Sequence, residues 1–144
     1  MKKFALVLGL LVSSFGFIAC SSDDDATPVN NNPMIGDWKA VNLSYTMPNG
    51  ETHTFPFTAI TGGCDVDEIE LRANNSADLE IENKVNDVCT EQHISGTWND
   101  EVITFDGVNP KYVVSVDATT LVLKYEMTYG NFGTIEVTVS YARD

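Results

Sequence analysis

From Leu121 to Tyr141 apolar and polar residues alternate with a period of two, a pattern that gives a strand one buried face and that a helix cannot gather onto one side. Leu121, Leu123, Tyr125, Met127 and Tyr129 alternate with Val122, Lys124, Glu126 and Thr128. After Gly130-Asn131-Phe132-Gly133, the residues Ile135, Val137, Val139 and Tyr141 alternate with Thr134, Glu136, Thr138 and Ser140. A C-terminal β-hairpin is predicted, with one face in a core and one in water. Upstream, Tyr112, Val114 and Val116 form a further expected inward row, joined to Leu121 by the turn Asp117-Ala118-Thr119.

The rest of residues 34–144 reads the same way, and no window sustains apolar residues at i, i+3, i+4 and i+7. Ile69 and Leu71, the turn Asn74-Asn75-Ser76, then Leu79 and Ile81 predict a hairpin whose outer face carries Glu68, Glu70, Asp78, Glu80 and Glu82. Residues 94–98 and 102–105 flank Asn99-Asp100 as a third hairpin. Residues 38–45 read as a bulged strand, because Trp38 and Ala40 are out of phase with Val41, Leu43 and Tyr45. His53, Phe55 and Phe57 share the parity of another strand, which Pro56 confines to an edge or a kink. Eight or nine short antiparallel strands over 111 residues predict an all-β, single-domain up-and-down barrel, with a β-sandwich as the alternative.

The first 33 residues have another purpose. Met1-Lys2-Lys3, an apolar run over residues 4–19, Cys20 and the acidic run Asp23-Asp24-Asp25 read as a cleaved secretory signal; the run is too short and wrongly flanked for a spanning helix. Phe17-Ile18-Ala19-Cys20 resembles the lipobox of bacterial lipoproteins, although Phe17 replaces the usual Leu. That resemblance implies a signal peptide of residues 1–19, acylation of Cys20, and attachment by acyl chains, more than one of which gives a stable anchor. Ser21 after the cysteine and the acidic run resemble lipoproteins sorted to the outer membrane and displayed on the cell surface. Residues 20–33, with Pro28, Asn30, Asn31, Asn32 and Pro33, read as a flexible tether.

Charge excludes one class of partner. Loss of Lys2 and Lys3 with the leader takes the formal charge from −13 to −15, and the six remaining basic residues are scattered singly, so there is no footprint for nucleic acid. Cys64 and Cys89, in an exported chain, are expected to form a disulfide; a metal site using them with His53 and His93 is the competing reading.

Gly36-Asp37-Trp38 and Gly96-Thr97-Trp98, together with the hairpin of residues 68–82, the cysteine pair and the strand order, resemble the lipocalin-like domains of small bacterial lipoproteins. The resemblance implies that Gly36 and Trp38 shape and plug the closed end of a barrel opposite a ligand-binding mouth. Gly96 and Trp98 repeat the pattern.

No catalytic motif is found, and no cofactor is called for. Gly62-Gly63 precedes no helix, and there is no Gly-x-Ser-x-Gly or His-Glu-x-x-His. Asp65, Asp67 and Glu68 are weak candidates for calcium, without a Gly-centred loop to gather them. Phe55, Phe57, Phe105, Tyr112, Tyr125, Tyr129 and Tyr141 are candidate lumen residues, for a ligand or simply as core, since an eight-stranded barrel can be filled by its own side chains. The expected function is a non-catalytic, monomeric binding module for a small apolar or amphipathic molecule. The alternative is an interaction module contacting an envelope protein or a glycan through its outer face or loops.

Overall fold

The computed structural model describes residues 31–47, 49–128 and 133–144; the expected signal peptide, Cys20 and Tyr129 lie outside them. Among the described residues nine strands occur in the order β1 (Gly36–Thr46), β2 (Thr52–Pro56), β3 (Glu68–Leu71), β4 (Ser76–Val85), β5 (Val88–Trp98), β6 (Val102–Phe105), β7 (Lys111–Val116), β8 (Thr120–Thr128) and β9 (Thr134–Arg143). A 3₁₀ turn, Phe57–Ala59, follows β2. From β3 onward each strand pairs antiparallel with the next, and β9 returns to β1, so β1 and β3 to β9 close into an eight-stranded barrel. Closure removes the sandwich alternative. Among the described residues it leaves unpaired strand edges at β2 and along the outer part of the β4–β5 pair.

The ninth strand shares an edge. β1 pairs with β3 through Gly36 to Lys39 and with β2 through Asn42 to Thr46, so β2 and β3 divide one side of β1 between them. β2 has no second partner and ends at Pro56, as a residue lacking an N–H requires. The chain between them, residues 57–67, lies against the β4–β5 arm. There Cys64 is bonded to Cys89, Lys84 donates to the Gly62 carbonyl at 3.2 Å, and the Asp65 N–H donates to Glu82 at 2.9 Å.

The inward rows form one core running from Met34 and Trp38 through Leu43, Ile69, Leu79, Ile103, Leu121 and Leu123 to Val139 and Tyr141. The bulge expected in the first strand is present. The β1–β9 register shifts between Ala40 and Asn42, so Trp38, Ala40 and Leu43 all face inward while Val41 is exposed.

Three expectations are corrected. Tyr112 and Val114 face outward, 55% and 57% exposed, because β7 pairs with β8 in the other phase and shifts register between Val113 and Ser115; the inward residues are Lys111, Val113 and Val116. The turn after β5 is longer than Asn99-Asp100: the Asn99 side-chain oxygen accepts from the N–H groups of both Glu101 and Val102. Finally, β4 and β5 continue as a paired arm to Val85 and Val88, where Asn86 and Asp87 turn at positive φ. Residues 83–93 of that arm are all exposed, so backbone pairing rather than a buried face holds it, and no alternation marked it in the sequence.

Both Gly-x-Trp segments lie at the same end of the barrel. The Trp38 indole donates to the Met34 carbonyl at 2.8 Å and the Trp98 indole to the Arg72 carbonyl at 3.0 Å. Gly36 has φ +140°, and a Cβ there would meet the Arg143 guanidinium at 2.2 Å; at Gly96 a Cβ would meet the Thr104 carbonyl oxygen at 2.1 Å. Each glycine makes room for a neighbour. Asn32 and Pro33, assigned to the tether by composition, are fixed to this end: Asn32 donates to Asp100, and the Pro33 carbonyl accepts from Arg143.

Candidate functional site: the mouth and the charges beneath it

Opposite the tryptophan end the lumen is roofed by carbon. Leu43, Tyr45, Phe55, Ile60, Met127 and Ile135 line a depression without polar surface that encloses only about 10 Å³ of free space. That volume is far below the roughly 300 Å³ of a small-molecule pocket, so the described conformation fills its mouth with its own side chains. Two of the six roof residues are not part of the closed ladder. Phe55 belongs to β2, and Ile60 follows the 3₁₀ turn, on a segment held by pairing with β1, by Phe57 buried in the core, by the disulfide and by a few hydrogen bonds. Tyr45 stacks on His53, with ring centroids 5.4 Å apart, and packs at a tilt on Phe55.

Beneath this roof the lumen is charged. Lys111 opens β7 with its side chain inward, and only 3% of the residue is exposed. Its ammonium nitrogen lies 3.4 Å from the centroid of the Tyr125 ring, a cation–π contact. Among the described residues it has no hydrogen bond and no ion pair. Asp67, just ahead of β3 and on the inward parity of Ile69 and Leu71, is the nearest source of opposite charge, beyond ion-pair contact. Burial lowers the Lys111 pKa to about 8 against the opposing pull of Asp67, and burial raises the Asp67 carboxyl to about 6 against the pull of Lys111. The Tyr125 and Tyr141 hydroxyls complete the cluster. Burial pushes both phenols upward, and the fully buried Tyr141 hydroxyl faces that of Tyr125 without a hydrogen bond of ordinary geometry.

Of the candidate lumen residues, Phe57, Phe105, Tyr125 and Tyr141 are buried in the interior and Phe55 lines the mouth. Tyr112 is the exception: it faces outward and joins Asn109, Pro110, Lys124, Glu126, Glu136 and part of Tyr125 around an open groove of about 260 Å³. Lys111, an isolated cation in a run of strand residues, was missed, because the alternation of residues 112–116 puts it on the wet side. Asp65, Asp67 and Glu68 do not converge. Adjacent strand residues point to opposite faces, so Asp67 is inside while Glu68 pairs outside with Lys39 at 3.7 Å. On the outer face of β4 and β5, His93 instead contacts Asp78 and Glu91, which raises its pKa.

No protein-family model matches the sequence, and neither does any curated protein. Solved structures do match in fold. Bovine odorant-binding protein in complex with its natural ligand aligns with 80% of this chain and 74% of its own at 20% identity, TM-score 0.51. The bovine lipocalin allergen Bos d 2 aligns with 78% and 73% at 18% identity, TM-score 0.51, and the siderocalin Ex-FABP with 78% and 75% at 14% identity, TM-score 0.50. At these identities the likeness is one of fold: the chain forms a lipocalin-like barrel.

Proposed function

We propose that this protein is a lipid-anchored, non-catalytic binding module of the outer membrane, displayed at the cell surface, that takes a small apolar or amphipathic molecule into its barrel mouth. The observation that carries the reading is the roof. Six apolar side chains close the lumen, and two of them, Phe55 and Ile60, lie on a segment that is laddered on one side at most. Displacing that segment exposes apolar surface continuous with the core. The solved structures of this fold include one with a natural ligand, which supports the same use of the barrel.

Two experiments test it. N-phenyl-1-naphthylamine, a neutral probe that fluoresces in apolar surroundings, should bind, and Phe55→Asp should abolish binding; no fluorescence gain with the parent chain sinks the reading. For the anchor, Cys20→Ser should leave the precursor unacylated and move the protein out of the membrane fraction. Retention there would refute lipidation.

A second reading has its own observation. Tyr112 and Val114 are exposed side by side on β7 next to an open groove, while the described lumen is full, which suits a module that meets an envelope protein or glycan with its outer face. Loss of a partner on Tyr112→Ala, with probe binding absent throughout, would favour it.

A further inference from the structure

We propose that Lys111 anchors the anionic head of an amphiphile whose tail lies in the apolar mouth, with the Tyr125 and Tyr141 hydroxyls as further donors; this rests on the mouth being the binding site.

The placement follows the strands. Met127 in the roof and Tyr125 in the cluster are successive inward residues of β8, separated by about 7 Å at strand rise. Lys111 stands beside Tyr125, since β7 and β8 pair Tyr112 with Lys124. The charged group therefore lies one step below the carbon-lined mouth, and a molecule entering head first would present its head to Lys111 while its tail replaced the roof side chains.

Hydrogen-bond capacity selects the sign of the head. The cluster offers three ammonium protons and two phenol protons, while its acceptor of opposite charge, Asp67, is not in contact with the ammonium. Tyr141 is wholly buried with its hydroxyl unpartnered. Buried donors without acceptors are costly, and an acceptor-rich carboxylate would satisfy several at once with charge-assisted bonds. Asp67 does not forbid this. Burial has already raised its carboxyl to about 6, and a second carboxylate nearby would raise it further, favouring the protonated form, which is another donor. A cationic head would meet Lys111 without relief.

The test compares decanoate with decan-1-ol, equal in tail and different in head, by calorimetry on the purified protein. Decanoate should bind about tenfold more tightly, and Lys111→Met should remove that advantage while leaving decan-1-ol within about twofold. Lys124→Met, on the outer face, should change neither. Equal affinity of the two probes for the parent protein, or full decanoate affinity in Lys111→Met, would overturn the anchor; binding of decan-1-ol alone overturns the anchor and keeps the mouth, and binding of neither overturns both. Should Lys111→Met fail to fold, side-chain NMR of the parent protein decides. Decanoate should raise the Lys111 pKa, with Asp67, Tyr125 and Tyr141 as the titratable groups that face it, and decan-1-ol should not; an unmoved pKa overturns the anchor.

Discussion

The guanidinium of Arg143, at the end of the last strand, lies 4.3 Å from the centroid of the Trp38 indole, near the start of the first. The same side chain donates to the carbonyl oxygens of Ile35, Pro33 and Ala118 at 2.6, 2.6 and 2.7 Å. One residue thus ties the first strand, the segment before it and the β7–β8 turn across the seam where the barrel closes. Gly36 leaves the space this requires. Arg143→Ala should cost about 2–4 kcal/mol in urea unfolding, from three lost charge-assisted bonds and a cation–π contact, and Arg143→Lys should recover little, because an ammonium lacks the planar fork.

Gly96→Ala should be worse tolerated than Gly36→Ala. The added methyl at position 96 meets a backbone carbonyl of the paired strand, which cannot turn aside, whereas at position 36 it meets the end of a flexible side chain, although the backbone there is already at positive φ. Melting temperatures of the two variants check the order. A smaller loss for Gly96→Ala would mean that the β5–β6 pair is more pliant than described.

The Cys64–Cys89 disulfide closes the segment beneath the mouth against β5 across 25 residues. On the chain-entropy view its removal should destabilise the fold by roughly 3 kcal/mol. Cys64→Ser/Cys89→Ser should also raise hydrogen exchange at residues 57–67 more than in β8 or β9. Thiol labelling without reductant should find neither cysteine free.

The buried charges set a pH dependence with two arms. Asp67 has its pKa raised on folding, from 3.8 to about 6, so across that interval the folded state binds the extra proton and stability falls as pH rises. Lys111 has its pKa lowered on folding, from 10.5 to about 8, so between those values the unfolded state binds the extra proton and stability rises with pH. Relative to Asp67→Asn/Lys111→Met, the parent protein should therefore be least stable between about pH 6 and 8. At pH 7 the double variant should be more stable by about 1–4 kcal/mol, because both groups are then charged in a buried site and burial outweighs their mutual attraction. A flat difference between the two chains across this range would place both groups in water.

Most strands could be read from the sequence because their inward rows announce themselves. Leu121 to Met127 and Ile135 to Tyr141 alternate cleanly, and the bulge in β1 showed as Trp38 and Ala40 out of phase with Leu43 and Tyr45, although Val41, expected in phase with the latter two, is exposed. Pro56 marked the strand with a single partner. The β4–β5 arm left no such trace, since a ribbon exposed on both faces has no pattern to break.

The site was legible only in part. The aromatic residues at 55, 105, 125 and 141 point inward from their strands and Phe57 does so from the 3₁₀ turn rather than the strand expected for it, but Tyr112 does not, and the residue that does is its charged neighbour Lys111. Local hydrophobicity favours Tyr112 inside. Pairing with β8 and the bulge after Val113 put Lys111 there instead, because phase along a strand is set by the partner's hydrogen bonds when the two disagree.

The sequence by itself determined an all-β chain of short antiparallel strands, because their inward rows are written in local periodicity; the closed-end role of the two Gly-x-Trp segments came only from a resemblance. Tertiary structure alone decided that the sheet closes through β1 and β9, that the mouth is roofed by Phe55 and Ile60, and that Lys111 and Asp67 share one lumen. Those relations join residues far apart in the chain. They arise when closure of the barrel fixes which faces enclose a common interior, a condition that no window of sequence contains.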